Sequence, residues 1–244
     1  MKVLVVDDAQ DISEIVSLCF ELRWPGTQIV TATEGLKGVQ MVGHESPDLV
    51  ILDIGLPDID GFEVCKQIRA FSDVPIIMLT VRNLDTDVVK GLQAGADDFI
   101  SKPFSHIALI ARSEAVLRRS QGTASSSSEE PFEAGALRID FGSRTVWVNK
   151  VEVRLTPTEY SLLYQLVRNS GRVLTHKTLM TKVWGPEYET TTNYLKIHIQ
   201  HLRQKLGDDP QSPSMIQTGR GVGYMFIKPT QGGSPKATNG AETN

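Results

Sequence analysis

Several familiar ways of fixing a fold or a chemistry are missing from this chain. Only two cysteines occur in 244 residues, Cys19 and Cys65, and both fall within helix-like segments. A disulfide framework is therefore excluded, and the pair reads as small buried apolar side chains in a reducing compartment. No apolar stretch approaches the ~18 residues of a transmembrane helix. No secretory leader is expected before MKVLVVDD, because the first strand begins almost at once, so the cytoplasm is the expected compartment and no membrane partner is expected. Neither a G-x-G-x-x-G nor a P-loop is present, which removes the flavin and nucleotide enzymes that open parallel sheets often carry. Asp58 and Asp60 before Gly61 lack the twelve-residue loop ending in Glu that calcium requires, and they read as turn and helix-cap residues.

What is present begins with five residues after short apolar runs. VLVV precedes Asp7 and Asp8, DLVIL precedes Asp53, PIIML precedes Thr80, and DDFIS precedes Lys102. These runs alternate with helix-period segments, the pattern of a doubly wound parallel α/β sheet of five strands. In such sheets the crevice lies beyond the carboxyl ends of the strands, so the five residues are expected to converge. Three carboxylates brought together repel unless a cation joins them. Mg²⁺ suits an all-oxygen site and keeps room for phosphate oxygens. Lys102 and the Thr80 hydroxyl would offer charge and a donor to a phosphoryl group.

VVDD, LDIGLPDIDG, MLT and SKPF, in that order, resemble the receiver domain of a bacterial two-component response regulator over residues 1–120. The resemblance implies that Asp53 accepts a phosphoryl group from a sensor histidine kinase. It implies that Asp8 holds Mg²⁺ directly and Asp7 through water, with Asp53 and the Gly55 carbonyl completing the protein's share. Thr80 and the aromatic before Lys102, here Phe99, would act as the switch, the ring turning inward on activation. Lys90, Asp97, Asp98 and Arg112 look like the surviving members of a charged dimer interface. Three departures stand out: Phe99 where Tyr is common, Ala108 for an acidic residue with Glu114 for a basic one, and Ala9 for a third acid.

The halves differ in charge. Residues 1–120 carry 11 Lys+Arg against 18 Asp+Glu, a balance of −7; residues 134–228 carry 13 against 7, a balance of +6. Only the second half is expected to meet a polyanion. Between them QGTASSSSEEPFE, residues 121–133, is too polar to bury a core and reads as a flexible linker. The stretch 229–244 reads as a disordered tail.

In the second half LRIDFGSRTVWVNKVEVRL alternates with turn signals at Gly142-Ser143 and Asn149-Lys150, the text of a short antiparallel sheet. In LTPTEY, Thr156 is an N-cap, Pro157 opens the helix and Glu159 closes a capping box. HKTLMTKVWG reads as a second helix. In the third, from about Thr191 to Leu206, Leu195, Ile199, Leu202 and Leu206 form an apolar stripe. Asn193, Lys196, Ile197, Gln200, His201, Arg203 and Gln204 lie opposite it, as an exposed face for the major groove, with Ile197 toward a thymine methyl. MIQTGRGVGYMFI reads as two strands around a bend, with Thr218 and Arg220 aimed at the minor groove or backbone.

LTPTEY, RVLTHKTLMTKVWG, HLRQKLGDDP and TGRGVGY together resemble the winged-helix α+β effector domain of OmpR/PhoB-type regulators. YLKIHIQHLRQKL also resembles the potassium-transport regulators of that family. The resemblance implies a transcription regulator rather than an enzyme, its receiver catalysing only its own phosphotransfer and dephosphorylation. Phosphorylation would promote a homodimer on direct-repeat promoter DNA, within reach of RNA polymerase. The alternative is an atypical regulator that binds DNA without phosphorylation, which Phe99 and Ala108 keep open.

Overall fold

In the computed structural model, residues 1–81, 85–121, 130–188 and 192–229 are described. The first domain runs β1 (Lys2–Val6), α1 (Gln10–Arg23), β2 (Gln28–Ala32), α2 (Gly35–Glu45), β3 (Leu49–Asp53), α3 (Gly61–Arg69), β4 (Ile76–Thr80), α4 (Asp85–Ala94), β5 (Asp98–Ser101) and α5 (His106–Gln121). All five strands are parallel, in the order β2-β1-β3-β4-β5. Because both faces are covered, the strands are apolar throughout rather than alternating. Leu4, Val6, Val50, Leu52, Ile76 and Met78 face one way, while Val3, Val5, Leu49, Ile51, Ile77 and Leu79 join a second cluster with α1 and α5. The strand order reverses between β1 and β3, and that reversal opens a crevice at their carboxyl ends.

Asp58 and Asp60 do the structural work expected of them. Asp60 accepts a hydrogen bond from the Phe62 amide at 2.8 Å as the N-cap of α3. Asp58 accepts from the Gly35 and Leu36 amides at 2.7 and 2.9 Å, capping α2 from a distance. Those amide bonds hold the Asp58 carboxyl below its ordinary pKa.

The second domain opens with a four-stranded antiparallel sheet, β6 (Phe132–Ala134), β7 (Leu137–Asp140), β8 (Thr145–Val148) and β9 (Val151–Glu152). Its last turn holds Asn149 and Lys150 at φ 52° and 67°, as a tight two-residue hairpin requires. β6 lies inside the stretch read as linker: Phe132 pairs with Ile139 and stacks edge-on against Phe226. The helices are α6 (Pro157–Arg168), α7 (His176–Val183) and α8 (Thr192–Leu206), with a 3-10 turn at Pro186–Tyr188. The capping box on α6 is formed as read. A small sheet of β10 (Leu174–Thr175), β11 (Ile216–Gly219) and β12 (Gly223–Phe226) carries the wing hairpin. Most of the expected linker and nearly all of the expected tail lie outside the described residues.

The domains pack on each other. α4 lies against α8, and α5 lies against α6. The receiver's α2–α4 side and the second domain's core form one continuous apolar cluster.

Candidate functional site

At the carboxyl edge of the sheet, Asp7 follows β1, Asp53 ends β3, Thr80 ends β4 and Lys102 follows β5. Asp7, Asp53 and Thr80 are buried, while Asp8 is exposed. The Lys102 ammonium lies 2.7 Å from Asp7 Oδ2 and 2.6 Å from Asp53 Oδ1. The Asp53 contact is a close ion pair, and Lys102 is the partner that Oδ1 has among the described residues. Its other oxygen accepts the Gly55 amide at 2.7 Å, and Asp7 Oδ1 accepts the Ala9 amide at 3.0 Å. Behind the site Gly61 is obligatory: a Cβ there would lie 2.2 Å from the Asp53 carbonyl oxygen.

Burial pushes the Asp7 carboxyl up, against the pull of Lys102. Burial also works against the Lys102 ammonium, but Asp53 and Asp7 outweigh it, and its pKa is raised. The lysine therefore stays charged and stands in part where a cation belongs. One oxygen from each of Asp7, Asp8 and Asp53 falls within 4.8 Å of the others. Three convergent carboxylates, balanced among the described residues by a single ammonium, fit a hard divalent ion such as Mg²⁺.

Phe99 is buried against α4, where a Cβ on Gly91 would meet its ring at 2.1 Å.

The residues assigned to a dimer interface part company. Lys90 is exposed, with only Asp87 beside it at 3.9 Å. Asp97 and Asp98 are fully buried, because the second domain covers them. Asp97 receives Arg69 at 2.9 Å, the Ile76 amide at 3.0 Å and the Thr158 hydroxyl of α6 at 2.7 Å. Asp98 receives Arg112 at 2.8 Å and the Phe99 amide at 2.7 Å, and its second oxygen is bonded by the Tyr188 hydroxyl. Arg112 also donates to Tyr188 at 2.7 Å and stacks over its ring. Burial pushes the Asp98 carboxyl up in spite of these partners. Ala108 lines a cleft with Glu187 and Tyr188, where an acidic side chain would face Glu187. Glu114 pairs with Arg23 of α1 at 2.6 Å, away from this face.

On α8 the apolar stripe is buried as read. Asn193, Lys196, Gln200 and Gln204 are exposed, spaced along one face. Three neighbours are not part of that face. Ile197 is 7% exposed and shares an apolar cluster with Val88 and Val89 of α4, which explains an apolar residue among polar ones. Arg203 is 8% exposed because it is a strut: Nη2 donates to the Ile216 carbonyl at 2.5 Å and to Thr218 Oγ1 at 2.9 Å. His201 is half-buried beside Glu159 of α6. Arg220 and Thr218 are exposed on the wing, as expected.

Sequence reasoning missed Tyr188, Thr158 and Arg119, which make contacts between the domains, and Arg69, which holds Asp97 in place within the receiver. The one available signal was an acidic pair, Asp97 and Asp98, opening an otherwise apolar strand.

A carboxylate crevice with a charged lysine, joined to a winged helix, defines a response regulator that acts on DNA. Residues 3–114 match the response regulator receiver domain and residues 150–226 the C-terminal domain of transcriptional regulatory proteins. The sensory transduction protein RegX3 of Mycobacterium tuberculosis is 41% identical over 225 residues, 92% of this chain and 98% of its own. The transcriptional regulatory protein KdpE of the same species is 39% identical with the same coverage. Among solved structures, a mutant of RitR matches with a TM-score of 0.74 at 28% identity, over 95% of this chain and 99% of its own. The chain belongs to the OmpR/PhoB family of two-component response regulators, and its relatives are transcription regulators rather than enzymes.

Proposed function

We propose that this regulator is switched by transfer of a phosphoryl group from a kinase phosphohistidine to Asp53, in the cytoplasm. The observation that carries this reading is the convergence of Asp7, Asp8 and Asp53 at the sheet edge, with the buried Asp53 oxygen 2.6 Å from a charged lysine. That oxygen attacks phosphorus, the N–P bond breaks, and its electron pair stays on the imidazole nitrogen. Asp7, Asp8, Asp53 and the Gly55 carbonyl are the groups that would hold Mg²⁺, which supplies positive charge to the transferred oxygens when bound. Lys102 is already poised to pair with the new charge, and the Thr80 hydroxyl is the donor on the next strand.

Phosphorylation replaces the single charge of the Asp53 carboxylate with an acyl phosphate carrying nearly two, a net gain of about one negative charge spread over three oxygens beside Lys102. Pulling Lys102 and Thr80 toward them displaces β4, β5 and α4, the elements on which the second domain rests. In the closed chain the face of Asp97, Asp98 and Arg112 is occupied, and Ile197 of α8 is buried. Release of that face frees α8 and makes the receiver surface available to a second copy. Two effector domains then meet direct-repeat DNA at a raised effective concentration. Asn193, Lys196, Gln200 and Gln204 read the major groove, with Thr218 and Arg220 on the wing. RNA polymerase at the promoter is the downstream partner.

The test is light scattering of the full chain in Mg²⁺, with and without beryllofluoride as the phosphoryl mimic. A shift from monomer to dimer is expected. Beryllofluoride bound at Asp53 with no change in mass, and equal DNA affinity in both states, would instead favour binding independent of phosphorylation.

A further inference from the structure

Between the end of α5 and the second domain lies a cavity of about 230 Å³. Arg118 and Arg119 line it from the receiver, and Arg144, Lys182, Tyr160 and Tyr164 from the effector domain. No Asp or Glu is among its described lining residues. Four cations around one small space repel one another; Arg118 and Lys182 are exposed at its rim, while Arg144 is half-buried and Arg119 buried, where repulsion is less screened.

Two of the four are committed to the site. Arg119 is 4% exposed, donates to the Val183 carbonyl at 3.2 Å and lies over the Trp184 ring, while its Nε and Nη2 have no hydrogen-bond partner among the described residues. Asp97 and Asp98 attract it only through space. Arg144 reaches across the junction to the Ser120 carbonyl at 2.6 Å and stacks 4.4 Å over the Tyr160 ring. Burial lowers the pKa of both guanidinium groups, since neither has a carboxylate on it. A buried guanidinium with unmet donors is costly unless an acceptor of opposite charge joins it.

We propose that this cavity is a binding site for a compact oxyanion, phosphate-like or carboxylate, held by arginines of both domains. Guanidinium forks match the oxygen geometry of such groups, and the tyrosine rings wall off water on one side. An anion here would clamp the domains together. Any consequence for DNA binding rests on the closed-to-open reading above, but the binding itself does not. The source of such an anion is the pool of dissolved phosphoanions.

The experiment is isothermal titration of the full-length Asp53→Asn chain with inorganic pyrophosphate in EDTA, so that the phosphoacceptor crevice does not contribute. Saturable binding is expected, weakened about tenfold by Arg144→Gln and by Arg118→Gln, the scale of one lost charge-assisted bond. Absence of saturable binding, or binding that neither arginine substitution weakens, overturns the site.

Discussion

Two acidic places on the receiver make opposite use of the same residue type. At the crevice, Asp7, Asp8 and Asp53 are left partly unsatisfied, with one lysine shared between two of the three carboxylates. At the α4–β5–α5 face, Asp97 and Asp98 are satisfied completely, each by partners from both domains. The first place is incomplete by construction, which is what a site awaiting a cation and a phosphoryl group requires. The second is complete only while the domains are closed. Chemistry at one is thus coupled to mechanics at the other through β4 and β5, whose ends carry Thr80, Asp98 and Phe99.

The comparison breaks most completely at Asp53. Asp53→Asn should abolish phosphoryl incorporation from acetyl phosphate, measured by mobility shift on a phosphate-binding gel. It should leave the closed junction and basal DNA affinity unchanged. Residual incorporation would mean that another carboxylate is the acceptor.

The DNA face can be sharpened by separating struts from readers. Arg203→Ala removes a buried guanidinium that ties α8 to β11, so it should cost about 2–3 kcal/mol of stability, read by denaturant unfolding. Lys196→Ala should leave stability alone and reduce the slope of log affinity against log salt by about one. If Arg203→Ala instead unfolds like the parent and loses specificity at one base pair, Arg203 leaves its strut on DNA.

At the junction, Tyr188→Phe deletes the hydroxyl that donates to Asp98 and accepts from Arg112, leaving the ring in place. A bond to a charged acceptor is worth about 1.5–3 kcal/mol, so the open fraction should rise at least tenfold. The unphosphorylated variant should then bind DNA about tenfold more tightly, by fluorescence anisotropy, while the beryllofluoride-bound form is unchanged. An equal gain in both forms would place Tyr188 on the DNA rather than in the latch.

These two places were not equally legible in the sequence. The crevice residues sit beside strand-forming runs, and parallel β/α order dictates where strand ends go, so Asp7, Asp53, Thr80 and Lys102 could be placed without coordinates. The caps at Thr156, Asp58 and Asp60 were legible for the same reason, since their partners are local or lie at one sheet edge. The junction was not. Tyr188 meets Asp98 across 90 residues and Thr158 meets Asp97 across 61, and no periodicity encodes a pairing between separately folded units. The same gap misplaced Ile197 and Arg203. Helical spacing gave their direction on α8, but not that α4 and β11 already occupied that direction.

The smallest effect tests whether Glu114 belongs to either place. It sits on α5, where a basic residue was expected on a dimer face, yet its carboxylate pairs with Arg23 of α1. Both side chains are well exposed, 53% and 38%, so solvent screens the pair and holding two long side chains in register offsets much of the gain. Glu114→Ala should therefore cost less than about 1 kcal/mol in unfolding, and less still at high salt. It should leave the beryllofluoride-induced dimer intact, because the pair faces α1 and not α4. A variant of unchanged stability that no longer dimerises would move Glu114 onto the activated interface, and α1 would have to shift on activation to release it.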